Sequence, residues 1–152
     1  MATQGFEFAY MLDGSDATPV IRDLTLGVAT AHKVGDLVLM QSDGYVDQVT
    51  TTTTEVTGVI MEPVAAAAIT AGTTKAKVAI LTRNQVWRCS ADDSSLSAVV
   101  GYTKAVDTVD ANTVDADSTS GGAICVLDKS ILDDEGNVMC YVVFLDTTFG
   151  NA

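Results

Sequence analysis

Short runs in which apolar and polar residues alternate recur along this chain, and they point to strands. Residues 19–26 show the pattern cleanly: Val20, Arg22, Leu24 and Leu26 share one face, and Pro19, Ile21, Asp23 and Thr25 the other. Residues 75–82 repeat it, with Ala76, Val78, Ile80 and Thr82 opposite Lys75, Lys77, Ala79 and Leu81. Successive side chains leave a pleated backbone on opposite faces, so a period of two marks a strand. Further strands are expected at 37–40, 45–49, 56–62, 98–106, 123–127 and 138–145. The last is an unbroken apolar run, as in a strand buried on both faces. Ser42-Asp43-Gly44 is a hairpin signal, because glycine takes the positive φ such turns require. Gly58, inside a strand, marks a bulge or a close backbone approach. The best helix candidate, the alanine-rich stretch at 64–70, is too short to stand alone in water. Short strands with turn signals about every 8–12 residues predict an all-β fold. The expectation is a compact β-barrel or sandwich with one short helix near 64–70.

Length fits one domain: the chain has 152 residues. Residues 15–149 are expected to form a single β domain, preceded by an N-terminal arm or first strand at 1–14. A chain of this size buries about 68–70% of its unfolded surface, enough for a core without metal or disulfides. Charged residues are only 18% of the total, against about 25% in ordinary soluble domains. Threonine, valine and alanine fill the gap, and the first two suit strands because a branched Cβ packs well on a pleated surface.

The formal charge of −12 excludes several partners. Nucleic-acid binding needs Lys and Arg to neutralise phosphates, and this field has the wrong sign. An anionic membrane surface is disfavoured for the same reason. The N-terminus, Met1-Ala2-Thr3-Gln4-Gly5, has neither the basic region nor the apolar stretch of a signal peptide. No window reaches the ~18 apolar residues of a membrane span. Cys89, Cys125 and Cys140 are odd in number and widely spaced, so they read as buried thiols and not as a disulfide framework. Synthesis in a reducing cytoplasm fits them.

Residues with catalytic chemistry are sparse. His32 is the only histidine, and beside Lys33 it reads as a solvated loop residue. No nucleophile elbow, phosphate-binding loop or dinucleotide fingerprint occurs. No Cys or His cluster has zinc-ligand spacing. Asp92-Asp93 and Asp133-Asp134-Glu135-Gly136-Asn137 could offer oxygen ligands to calcium, but neither follows the EF-hand pattern and both read as solvated turns. The expectation is a protein that is not an enzyme, with no catalytic residue, metal or cofactor.

Phe6, Phe8 and Tyr10 alternate with Glu7 and Ala9, which puts three aromatics on one face of an extended segment. The segment is either a strand of the protein's own sheet or an arm that pairs with a neighbour's sheet edge. These three residues are the candidate partner contacts. Trp87, within Val86-Trp87-Arg88-Cys89, reads as core. The threonine run at 50–54 reads as an exposed edge or loop, and 107–122 as a long hairpin tip or mobile loop.

Several stretches together resemble tailed-phage capsid decoration (cement) proteins. They are Val34-Gly35-Asp36-Leu37-Val38-Leu39 with the hairpin through Gly44-Tyr45-Val46, and Thr57-Gly58-Val59-Ile60 leading into the alanines at 65–68 and Ala71-Gly72. Lys77-Val78-Ala79-Ile80-Leu81, Gly122-Ala123-Ile124-Cys125-Val126-Leu127 and Tyr141-Val142-Val143-Phe144-Leu145 complete the likeness, which covers roughly two-thirds of the chain. The family would place glycine in the turn after Leu81, where this chain has Asn84-Gln85. The resemblance implies a compact β domain with the alanine-rich segment packed against it. It also implies a structural virion protein on the capsid exterior, commonly a homotrimer, whose partners are the major capsid protein and neighbouring copies of itself. A carbohydrate- or receptor-binding module of a phage fibre is the alternative, and would show Trp87 exposed within a polar ring.

Overall fold

A computed structural model describes residues 5–49, 55–91, 105–106, 108–115, 122–128 and 138–149. In chain order the strands are β1 (Glu7–Met11), β2 (Ile21–Thr25), β3 (Leu37–Met40), β4 (Val46–Gln48), β5 (Gly58–Ile60) and β6 (Lys75–Ile80). They continue as β7 (Gln85–Ala91), β8 (Ala105–Val106), β9 (Thr108–Asp110), β10 (Thr113–Val114), β11 (Ile124–Asp128) and β12 (Met139–Phe144). The fold is all-β, as the alternation predicts. One turn of 3-10 helix, Ala66–Ala68, is the whole of the expected helix.

The strands form two sheets. The smaller runs β2-β6-β5-β3-β4, antiparallel throughout. The larger runs β8-β11-β12-β7-β10-β9. One edge of β7 faces β12; the other is shared, with β1 along its first half and β10, in parallel, along its second. The sheets pack face to face as a sandwich. Leu37, Val59 and Ala79 of the smaller sheet meet Trp87, Cys89, Ile124, Val126, Cys140, Val142 and Phe144 of the larger. The smaller sheet also curls, so that Leu26, just past β2, bridges Val46 of β4. The curl encloses a second core of Leu26, Val38, Val46, Ile60, Ile69, Ala76 and Val78. Strands such as β3 therefore bury both faces, which is why Leu37–Met40 reads as continuous apolar sequence.

Two glycines let backbones touch. A Cβ on Gly58 would lie 2.6 Å from the Ala79 carbonyl oxygen of β6, so the glycine marks the close approach and not a bulge. Gly35 has φ +93°, and its Cβ would lie 2.7 Å from Gly5 Cα. There Phe6 N–H donates to the Gly35 carbonyl at 2.9 Å and ties β1 to the lead-in of β3.

Several details depart from the sequence reading. The 107–122 segment, expected to be a long hairpin tip or mobile loop, does join an antiparallel pair, with Val106 of β8 opposite Ile124 of β11. What departs is its interior: the described residues 108–115 hold the β9–β10 hairpin with Thr108, Ala111, Thr113 and Val114 buried. Leu37 N–H donates to Ala111 O at 2.7 Å, and the hairpin packs Val114 into the core. The alanine-rich segment does not pack as the resemblance implies: Ala65, Ala66, Ala67 and Ala68 are exposed. Their methyls are too short to reach the core, and Val64 and Ile69 anchor the segment instead. The turn after Leu81 forms without glycine and without positive φ. Side chains build it: Thr82 N–H donates to Gln85 Oε1 at 3.2 Å, and the Thr82 hydroxyl to Asn84 Oδ1 at 2.7 Å. The threonine run at 50–54, Asp92-Asp93, the acidic turn at 133–137 and residues 98–104 lie outside the described residues.

Candidate interaction surface

The N-terminal aromatics do not share one face. β1 pairs antiparallel with β7, with Phe8 opposite Trp87 but Tyr10 opposite Val86. Ala9 is thus one residue too many, a β-bulge, and it inverts the alternation beyond it. Phe6 enters the core at 3% exposure, its ring 5.5 Å from Phe144. Phe8, partly buried, stands edge-on to Trp87 at 5.6 Å. Tyr10 turns to the outer face of the larger sheet, 51% exposed and 6.3 Å from the Tyr141 ring. Of the three candidate contacts, Phe6 and Phe8 pack on the protein's own core and Tyr10 is exposed on the outer face. The segment is therefore a strand of its own sheet. Sequence periodicity could not show this, because nothing local in Phe8-Ala9-Tyr10 marks a bulge.

On that outer face Glu7, Arg88 and Tyr141 are cross-strand neighbours in one row over β1, β7 and β12. Arg88 Nη2 lies 3.3 Å from Glu7 Oε2. Tyr10 belongs to the next row. Together with Phe8 and Ala9 these residues line an open depression of about 320 Å³. Beside it on the same face lies an apolar cluster of Val86, Cys125 and Val143, all buried, against which Ala9 and Tyr141 pack. Arg88 and Tyr141 were not singled out by the sequence, since only the strand pairing brings them to β1.

A second surface adjoins the start of β2. Residues 12–18 are exposed, and the segment leaves and rejoins the body at one place: Leu12 N–H donates to Asn84 O at 2.7 Å, and Ile80 N–H to Val20 O at 2.8 Å. Leu12, Val20 and Ile21 are exposed apolar residues at its two ends.

No protein-family model matches this chain, and no curated protein matches it.

Other residues with chemistry sit in the interior. His32, expected in solvent, is 3% exposed. Its backbone pairs with Val64 in both directions, at 2.8 and 2.9 Å, and this draws the ring inward. Among the described residues its Nδ1 has no hydrogen-bond partner. Burial pushes the imidazole below its ordinary pKa, with Asp36 and Asp47 pulling the other way. Asp36, also buried, accepts hydrogen bonds from Lys33 N–H at 2.9 Å, Gln48 Nε2 at 2.9 Å and Asn112 Nδ2 at 3.1 Å. It joins the lead-in of β3 to β4 and to the β9–β10 hairpin. All three cysteines are buried, with Cys89 Sγ 3.7 Å from Cys140 Sγ across the β7–β12 pair. Burial pushes the Cys89 and Cys125 thiols up, away from the thiolate form that nucleophilic chemistry needs. Among the described residues no group of three or more His, Cys, Asp and Glu side chains could hold a metal ion.

Proposed function

We propose that this chain is a structural, non-enzymatic protein that binds the outside of a phage capsid and clamps neighbouring major capsid subunits, working as a homotrimer. The observation that carries the reading is the excursion at 12–20, exposed at every residue but the half-buried Pro19, with Leu12, Val20 and Ile21 at its ends. Apolar side chains on a two-sheet body give a partner something to bury, and the excursion is held at both ends by backbone hydrogen bonds. Two further facts support the reading. The stretches that resemble decoration proteins fall on β3, β4, β5, β6, β11 and β12, the two facing walls of the sandwich. The net charge of −12 keeps copies apart in solution until a specific surface is met.

The stabilisation is mass action. A protein that binds only the assembled shell stabilises it by about 2.7 kcal/mol per site at a hundredfold excess over Kd. Repetition over many sites makes the total large.

The fibre-module alternative expected an exposed Trp87. Trp87 is 1% exposed, and its indole N–H donates to Gln85 Oε1 at 3.2 Å, so this side chain offers no platform to a ligand. A paired test of the capsid reading is Val20→Asp with Ile21→Asp. Both residues are exposed, so the fold is expected to persist while capsid binding drops at least tenfold. A double variant that binds shells as well as the parent would refute the role given to this surface.

A further inference from the structure

The depression over β1, β7 and β12 has a chemistry of its own. Two tyrosines with apolar ring faces stand beside a carboxylate and a guanidinium, all carried on paired strands. We propose that it is a binding site for a neutral saccharide. One pyranose ring would set its C–H face against Tyr10 and Tyr141 and turn its hydroxyls to Glu7 and Arg88.

Size, charge and backbone each favour this ligand class. The volume, about 320 Å³, lies at the small end of ligand pockets, which run from about 300 to 1,000 Å³, and suits one ring. Glu7 and Arg88 already neutralise each other at 3.3 Å. A charged ligand would have to compete with that pair. A hydroxyl can donate to the carboxylate and accept from the guanidinium while the pair stays intact, and Arg alone carries five N–H donors. Tyrosine combines an apolar face with a polar tip, the combination a sugar ring meets with its own C–H face and rim of hydroxyls. The bulge at Ala9 completes the site. Without it Tyr10 would fall opposite Gln85 and share the inward face with Phe8. Bulges re-aim side chains in this way beside functional sites. Tyr10 stands two residues before Leu12, but the depression uses none of the residues given to capsid binding, so the inference does not rest on the capsid reading.

Saturation-transfer NMR of the full chain with the methyl glycosides of glucose, galactose, mannose and N-acetylglucosamine, one at a time, tests it. At least one glycoside is expected to receive saturation, concentrated on the C–H protons of one ring face. Tyr10→Ala is expected to cut that signal at least fivefold, while Tyr10→Phe retains most of it. Tyr10 is 51% exposed, so its unfolding midpoint in urea serves as the folding control. Added sodium chloride should leave the signal unchanged, because the ligand is neutral. Absence of transfer to all four glycosides would overturn the proposal. So would equal transfer to folded Tyr10→Ala, or a signal that vanishes with salt. Capsid co-sedimentation of Tyr10→Ala is expected to match the parent, which separates failure of this site from failure of the capsid reading.

Discussion

At the scale of single residues, the interior polar groups carry the clearest consequences. Asp36 satisfies three N–H donors from three parts of the chain. Asp36→Ala leaves them facing a buried gap, and such losses cost about 3–5 kcal/mol. A urea unfolding curve is expected to show its midpoint lowered by that loss divided by the slope, with the slope itself unchanged. His32 gives a pH signature. Its folded pKa is lowered, so the unfolded chain binds more protons just below the ordinary value of about 6.5. Stability is expected to fall as pH drops through the ordinary value toward the lowered folded one, by at most about 1.4 kcal/mol per pH unit from this group. Measured by urea midpoints, the decline should flatten in His32→Gln; an unchanged slope would remove His32 as its source. The burial of His32 was not legible in Ala31-His32-Lys33, because a β-bridge to Val64, 32 residues away, determines it. Trp87 was legible, since an apolar neighbour on a strand is usually core.

At the scale of elements, β1 shows what alternation can and cannot disclose. The strand itself was readable in the aromatic pattern, but the bulge that turns Tyr10 outward depends on how β1 registers against β7. Phe6 is the anchor of the strand. Phe6→Ala is expected to cost about 3–5 kcal/mol, read from thermal or chemical unfolding, because it empties a core site against Phe144. Removing residues 1–11 should accordingly unfold or badly destabilise the protein, and a truncated chain of parental stability would contradict the placement of β1. Gly35→Ala tests the junction between β1 and β3: positive φ and the Gly5 backbone both oppose a methyl group. It is expected to destabilise by more than about 1 kcal/mol. The hairpin tip at 107–122 was readable, but the buried β9–β10 pair within it was not, because its threonines and aspartates look solvated. The 3-10 turn at Ala66–Ala68 is shorter than the alanines suggested, since it has no side-chain cap and buries none of its residues.

At the scale of the whole molecule, two sheets share one core, and the curl of the smaller sheet makes a second. The all-β class followed from period-two patterning and turn spacing, which are local signals, but those signals left barrel and sandwich as alternatives. The pairing of distant strands, such as β1 with β7, was not legible, and the Tyr10–Tyr141 depression was hidden with it. The molecule offers two separate surfaces, the 12–20 excursion and the outer face of the larger sheet, and the capsid-binding account depends on the first. Co-sedimentation of the purified chain with phage capsids lacking their decoration protein tests that account most directly. The expected result is saturable pelleting with shells, lost in the Val20→Asp, Ile21→Asp variant. A parent chain that stays in the supernatant at every shell concentration would contradict it.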